Sequence, residues 1–244
     1  MSELGEALEL IEKENAGHKN YLELSAKELL NAFGQGSHIP GSGSAAAFSG
    51  LLAIELLKTV LQLSIDKKKY VGFKKEFELL LSNLINESTP KFTSYFNEDN
   101  RIFHNVSYYR RARDKAEDED EKKEYKALSL ELLKEATDIP LDMCRSALDL
   151  VSVAFSVFDN GFKSARGDSG VAISNLLSSA QGALFVVFLN LKSFTKSKWK
   201  DERMTKALEL NKILIRVQRE AYAKVVSLYD ETPVVKQMEL DFGK

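Results

Sequence analysis

Proline, cysteine and histidine are scarce in this sequence, and each shortage closes a route to function. Only 4 Pro and 13 Gly occur in 244 residues, too few punctuators for a strand-rich fold with many turns, while Leu, Lys, Glu and Ala are abundant, which favours long helices. The expectation is an all-α protein. The one cysteine, Cys144, excludes an internal disulfide and a cysteine-based zinc site and suits a reducing cytoplasm. The three histidines, His18, His38 and His104, are far apart and never at helical spacing, so no metal site is expected. His38, two residues before a glycine-rich segment, has the position of a general base, although a surface turn histidine is the simpler reading.

Charge of one sign is also missing. The 34 basic and 36 acidic residues give a net charge of -2, so no overall field draws the chain to nucleic acid or to an anionic membrane, and neither is expected as a partner. Met1 to Glu14 carries acids among its apolar residues and lacks the zones of a secretory signal. Long apolar runs are rare, with one exception: Gly170 to Leu191 has no charge over 22 residues, a length that can cross a bilayer. Ser174, Asn175, Ser178, Ser179, Gln181 and Asn190 within it, and the lack of a second such segment, favour the central buried helix of a bundle.

Helical periodicity covers most of the rest. Residues 1–20 read as a lead-in helix, 21–229 as one helical domain and 230–244 as a flexible tail. Within the domain a short helix is expected over Ser25 to Phe33, and a long one runs from a cap at Ser42 or Ser44 to Asp66. The next spans Val71 to Phe96. The turn formers Asn97-Glu98-Asp99-Asn100 then predict a chain reversal. The charged run Arg110 to Lys126 reads as a solvated helical extension. Asp138-Ile139-Pro140 restarts or kinks a helix reaching Asn160, and a final amphipathic helix spans Asp201 to Tyr229.

Two glycine-bearing helix entrances carry whatever chemistry the sequence offers. In Pro40-Gly41-Ser42-Gly43-Ser44 the glycines permit close approach, and the following helix presents free N–H groups and positive dipole potential, suited to an anion or a polar ring. A tight turn with a serine cap is the plain alternative. In Gly167-Asp168-Ser169-Gly170 the acid stands where a helix dipole favours it, as an ordinary cap or as a carboxylate that stabilises a cation or orients water. Small residues at Gly43, Ala46, Ala47, Gly50 and Ala53, and at Gly170, Ser174, Ser178 and Gly182, predict that the two helices touch. Parallel helices would join the entrances; antiparallel ones would separate them unless a second subunit supplies the partner.

The stretch Tyr21 to Leu30 followed by Pro40-Gly41-Ser42-Gly43-Ser44-Ala45-Ala46-Ala47 resembles the opening of the cyclodeaminase/methenyltetrahydrofolate cyclohydrolase family, which includes the C-terminal half of formiminotransferase-cyclodeaminase. Glu135 to Leu141, Gly167 to Ala172, Gly182-Ala183 and Leu189-Asn190-Leu191 follow in the family's order. The resemblance implies a multihelical bundle of long antiparallel helices that forms a dimer, with a tetrahydrofolate derivative as ligand and no tightly bound cofactor. Cyclohydrolases add water to the methenyl cation; cyclodeaminases expel ammonia from the formimino group to make it. Carried onto this chain, Asp168 supports the cation or water, and Pro40, Gly41, Ser42, Gly43, Ser44, Gly170 and Asn190 contact the ligand. Lys67, Lys68, Lys69, Lys192 or Lys196 receives its anionic glutamate tail.

Ser42 stands where the family has a central glycine, Asn86 and Ser88 where it tends to have acids, and Phe162, Ser164, Gly167 and Val186 where it has polar groups. Altered or lost activity is therefore part of the expectation. The alternative reading is a non-catalytic dimeric helical protein that binds another ligand or a protein partner. For that reading the tail Gln237 to Phe242 offers a peptide resembling those that dock on the replication sliding clamp.

Overall fold

Residues 20–231 are described by the computed structural model. Ser25 accepts the Glu28 N–H at 3.3 Å while Glu28 Oε2 accepts the Ser25 N–H at 3.0 Å, and this reciprocal cap opens α1 (Ala26–Gly34). A turn leads through Gly36, whose φ of 73° suits glycine, into α2 (Ser42–Ile65). A 3₁₀ turn (Lys68–Phe73) precedes α3 (Lys74–Asn83), and a π-helical turn (Leu84–Ser88) joins it to α4 (Thr89–Lys115). Then come α5 (Glu119–Asn160), α6 (Arg166–Leu191) and α7 (Lys198–Asp230). No strand occurs among the described residues. The expected lead-in helix, His18 and the Gln237 to Phe242 peptide lie outside them.

Cross-helix contacts fix the directions. Ala46 faces Gly182 while Ser64 accepts the Phe162 N–H at 2.8 Å, so α2 and α6 run antiparallel. Gly43 meets Asp99 and Gly50 meets Phe92, so α2 and α4 do too. The helix α6 packs on α2, α5 and α7, which places the charge-free segment at the centre of a bundle of long antiparallel helices. Contrary to the expectation of a single such segment, both α2 and the segment Lys163–Leu191 are long and apolar enough to cross a membrane, but half of each apolar window is buried inside the bundle. Cys144 is buried there, and desolvation pushes its thiol up to about 12.

Two expectations about local structure need correction. The Asn97 to Asn100 segment is no turn, because α4 runs straight through it and the buried Asp99 and Asn100 find partners on α2. The reversal comes instead at residues 116–118, at the tip of the solvated charged hairpin, where Asp118 caps α5 by accepting the Glu121 N–H at 3.1 Å. Of a restart or a kink at Pro140, the restart does not occur: α5 passes through it unbroken. Proline leaves the carbonyl four residues back without its N–H partner. That carbonyl belongs to Ala136, and Asn190 Nδ2 of α6 donates to it at 2.8 Å.

Of the two small-residue faces, Gly182 touches α2 as expected, but Ser174 and Ser178 point outward. Tight packing is concentrated around Gly50 instead, where an added Cβ would sit 2.2 Å from Phe92 Cε1 and 2.3 Å from Cδ1. Phe92 is 1% exposed and set edge-on against Tyr95. Gly50→Ala gains up to about 1 kcal/mol of helix propensity but overpacks this contact, at a cost of roughly 1–3 kcal/mol. The expected outcome of thermal melting is a lowered Tm; a raised one would show that the ring has room to move.

Candidate functional site

Gly41 is the N-cap of α2 and offers no side chain; neither Ser42 nor Ser44 caps in its place. The missing acceptor comes from α4. Asp99 Oδ2 accepts the Ser44 N–H and is also reached by the Ser44 hydroxyl, each at 2.8 Å. This carboxylate enters because residue 43 is glycine: an added Cβ would lie 2.0 Å from Asp99 Oδ1. The glycine-rich entrance is therefore built to admit an acid from another helix.

Around this acid opens a cavity of about 360 Å³, lined by Gly41, Ser42, Gly43, Asp99, Asn100, Phe103, Val186, Leu189 and Asn190 together with the Ser37 to Ile39 turn and Ala136. The size suits a small ring-bearing ligand. Burial pushes the Asp99 carboxyl up from its ordinary range, opposed by its two hydrogen bonds from Ser44. Its Oδ1 receives no hydrogen bond from the described residues. The Ser44 hydroxyl lies 2.8 Å from Asp99 Oδ2 and 2.7 Å from Asn100 Oδ1, and its single proton serves one of these acceptors at a time. Protonation of Asp99 completes the chain, with Asp99 donating to Ser44 and Ser44 to Asn100. The arrangement has room for one further proton at the edge of the cavity.

The residues singled out in the sequence divide between the two ends of the bundle. Gly41, Ser42, Gly43 and Asn190 line the cavity, Ser44 holds Asp99 from behind and Pro40 is buried in the turn before α2. Asp168, Gly170 and Lys67 lie at the opposite end, because α2 and α6 are antiparallel and α2 spans about 36 Å. Asp168 sits within the first turn of α6, which begins at Arg166, and does not precede the helix. Lys67 places its Nζ 4.1 Å from the centre of the Phe162 ring. Nothing crowds a Cβ at Gly167, and one at Gly170 would meet only an ordinary contact. The second entrance thus lacks the close approach that makes the first distinctive.

Asp99 and Asn100 were missed because their composition reads as a turn. The signal that finds them is spatial: a polar pair buried on a helix and directed at a helix N-terminus.

Residues 25–209 match the family described as Formiminotransferase-cyclodeaminase. The chain belongs to that family. It is 30% identical over 179 residues to a methenyltetrahydrofolate cyclohydrolase from Methylorubrum extorquens, a match covering 72% of this chain and 83% of the relative. It is 25% identical over 194 residues to the formimidoyltransferase-cyclodeaminase of Sus scrofa, covering 79% of this chain and 35% of that longer protein. The fold matches a formiminotetrahydrofolate cyclodeaminase from Thermotoga maritima with a TM-score of 0.72 at 20% identity, over 85% of this chain and 98% of the other. The family is one of folate one-carbon enzymes, and the cavity is where its glycine-rich entrance meets the buried acid of this chain.

Proposed function

We propose that this protein is a folate-dependent one-carbon enzyme of the methenyltetrahydrofolate cyclohydrolase or formiminotetrahydrofolate cyclodeaminase type, acting in a reducing cytoplasm. The observation that carries the reading is the buried Asp99 at the cavity edge, with one oxygen held by Ser44 and the other without a protein donor. The similarity to the Methylorubrum cyclohydrolase supports hydrolysis.

In that reaction water adds to the methenyl carbon of a cation and one C–N bond of the bridge opens. Of the two protons of water, one ends on the freed nitrogen and one leaves. Asp99 takes the departing proton and its charge stabilises the cation beforehand. In the deaminase direction the same carboxylate stabilises the cation formed as ammonia departs. Phe103, Val186 and Leu189 give the ring apolar walls.

Asp168 reaches such a ligand only if a second copy brings its α6 entrance to the cavity. The outward stripe of α6 supports pairing of two copies, since it carries no charge and ends at Phe185 and Leu189, 62% and 59% exposed. Light scattering checks that homodimer.

Purified protein is expected to hasten the loss of methenyltetrahydrofolate absorbance and to melt higher with tetrahydrofolate derivatives, since a ligand that binds only the folded state stabilises it by mass action. Asp168→Ala separates the arrangements: a monomeric site keeps the thermal shift, a shared one loses it. No absorbance change and no shift with any folate would sink the proposal.

A further inference from the structure

The cavity does not end at Phe103. A second hollow of about 390 Å³ shares Ser37, His38, Ile39 and Phe103 with it and continues past His104 and Ser107 to Arg110 and Arg111. Asp99, Phe103, Ser107 and then Arg110 and Arg111 follow one another at spacings of three and four, so they form one stripe along α4. From residue 99 to residue 110 the stripe runs about 16 Å. It passes from a carboxylate through an aromatic wall, where His38 stands edge-on to Phe103 with ring centres 6.3 Å apart, to two guanidinium groups.

Those two cations differ from their neighbours on the same helix. Arg101 is paired with Glu98 and Arg113 with Asp114, each at 2.7 Å, whereas Arg110 and Arg111 have no carboxylate partner among the described residues. Arg110 is half-buried, which limits screening by solvent and leaves its charge available to a ligand in the groove.

We infer that Arg110 and Arg111 form an anion subsite that holds the glutamate carboxylates of a folate whose pteridine lies beside Asp99, fixing the direction in which the ligand enters. This rests on the folate reading above. It moves the tail from Lys67, Lys68 and Lys69, at the far end of the bundle, and from Lys192 and Lys196, past the last turn of α6, to the outer half of α4. The order acid, aromatic, base along the groove matches the order in such a ligand: the cationic one-carbon bridge that Asp99 stabilises, an aminobenzoyl ring, and carboxylates that arginine binds in a fork.

The test uses the full chain and calorimetric titration with three probes: tetrahydrofolate, tetrahydropteroate, which lacks the glutamate, and 6-methyltetrahydropterin, which lacks the whole tail. Wild-type protein should bind tetrahydrofolate about tenfold more tightly than tetrahydropteroate. In Arg110→Gln/Arg111→Gln that preference should vanish while affinity for the pterin is unchanged, and added salt should weaken the preference in the wild type. Unchanged melting of the variant without ligand confirms that it is folded. A preference that survives both substitutions, or a wild type indifferent to the glutamate, overturns the subsite and leaves the folate reading standing. Failure of the wild type to bind any of the three overturns both.

Discussion

Asp99→Asn is expected to fold normally, to melt above the wild type at neutral pH, and to lose roughly 10²-fold or more in turnover. The amide oxygen can still accept from Ser44, so the entrance to α2 keeps its acceptor, but the charge that stabilises a cation and accepts a proton is gone. Stability moves the other way because burial pushes the wild-type carboxyl up. The folded protein therefore holds this proton at pH values where the unfolded chain has released it, and stability from this group falls as pH rises. Above the folded value the cost of burying the charge is fully present, and the amide removes it. Below the ordinary carboxylate range both states are protonated and the advantage of Asn disappears. Thermal melts across acid and neutral pH read this directly; equal melting of the two proteins at every pH would show that Asp99 carries no such burden.

A buried acid that faces a cavity is what sequence patterning represents poorly. The all-α class, the long buried helices and the close approach at the Pro40 to Ser44 entrance were legible, since they depend on composition, on period and on local glycine chemistry. The acid at that entrance was not. Asn97, Asp99 and Asn100 have the side chains of a turn because each competes locally for backbone groups, yet here the tertiary contacts of Asp99 and Asn100 to Ser44 override that tendency. The sequence instead directed attention to Asp168, adjacent in sequence to glycine but, through the antiparallel course of α2 and α6, remote from the cavity within one chain. Local motifs reveal which residues are unusual. The direction of the helices decides which of them can meet.

Asn190→Leu should be the most instructive change to the scaffold, because Asn190 serves both the fold and the cavity. Its Nδ2 donates to the Ala136 carbonyl that Pro140 leaves unpaired, and Ala136 is 4% exposed. Leaving that carbonyl without a donor costs about 1–3 kcal/mol, which for a chain of this size lowers Tm by roughly 2–4 °C per kcal/mol. In a Pro140→Ala background the new backbone N–H can bond Ala136 itself, so the same substitution should cost much less. The difference between the two costs is the coupling that a double-mutant cycle reads. Equal costs in the two backgrounds would refute the assignment of Asn190 as the donor that replaces the missing proline N–H. Ligand binding separates the second role: Asn190 lines the cavity, and no backbone repair in α5 restores its amide there. The double variant is therefore expected to regain stability without regaining folate affinity, so that α5 is repaired and the cavity is not.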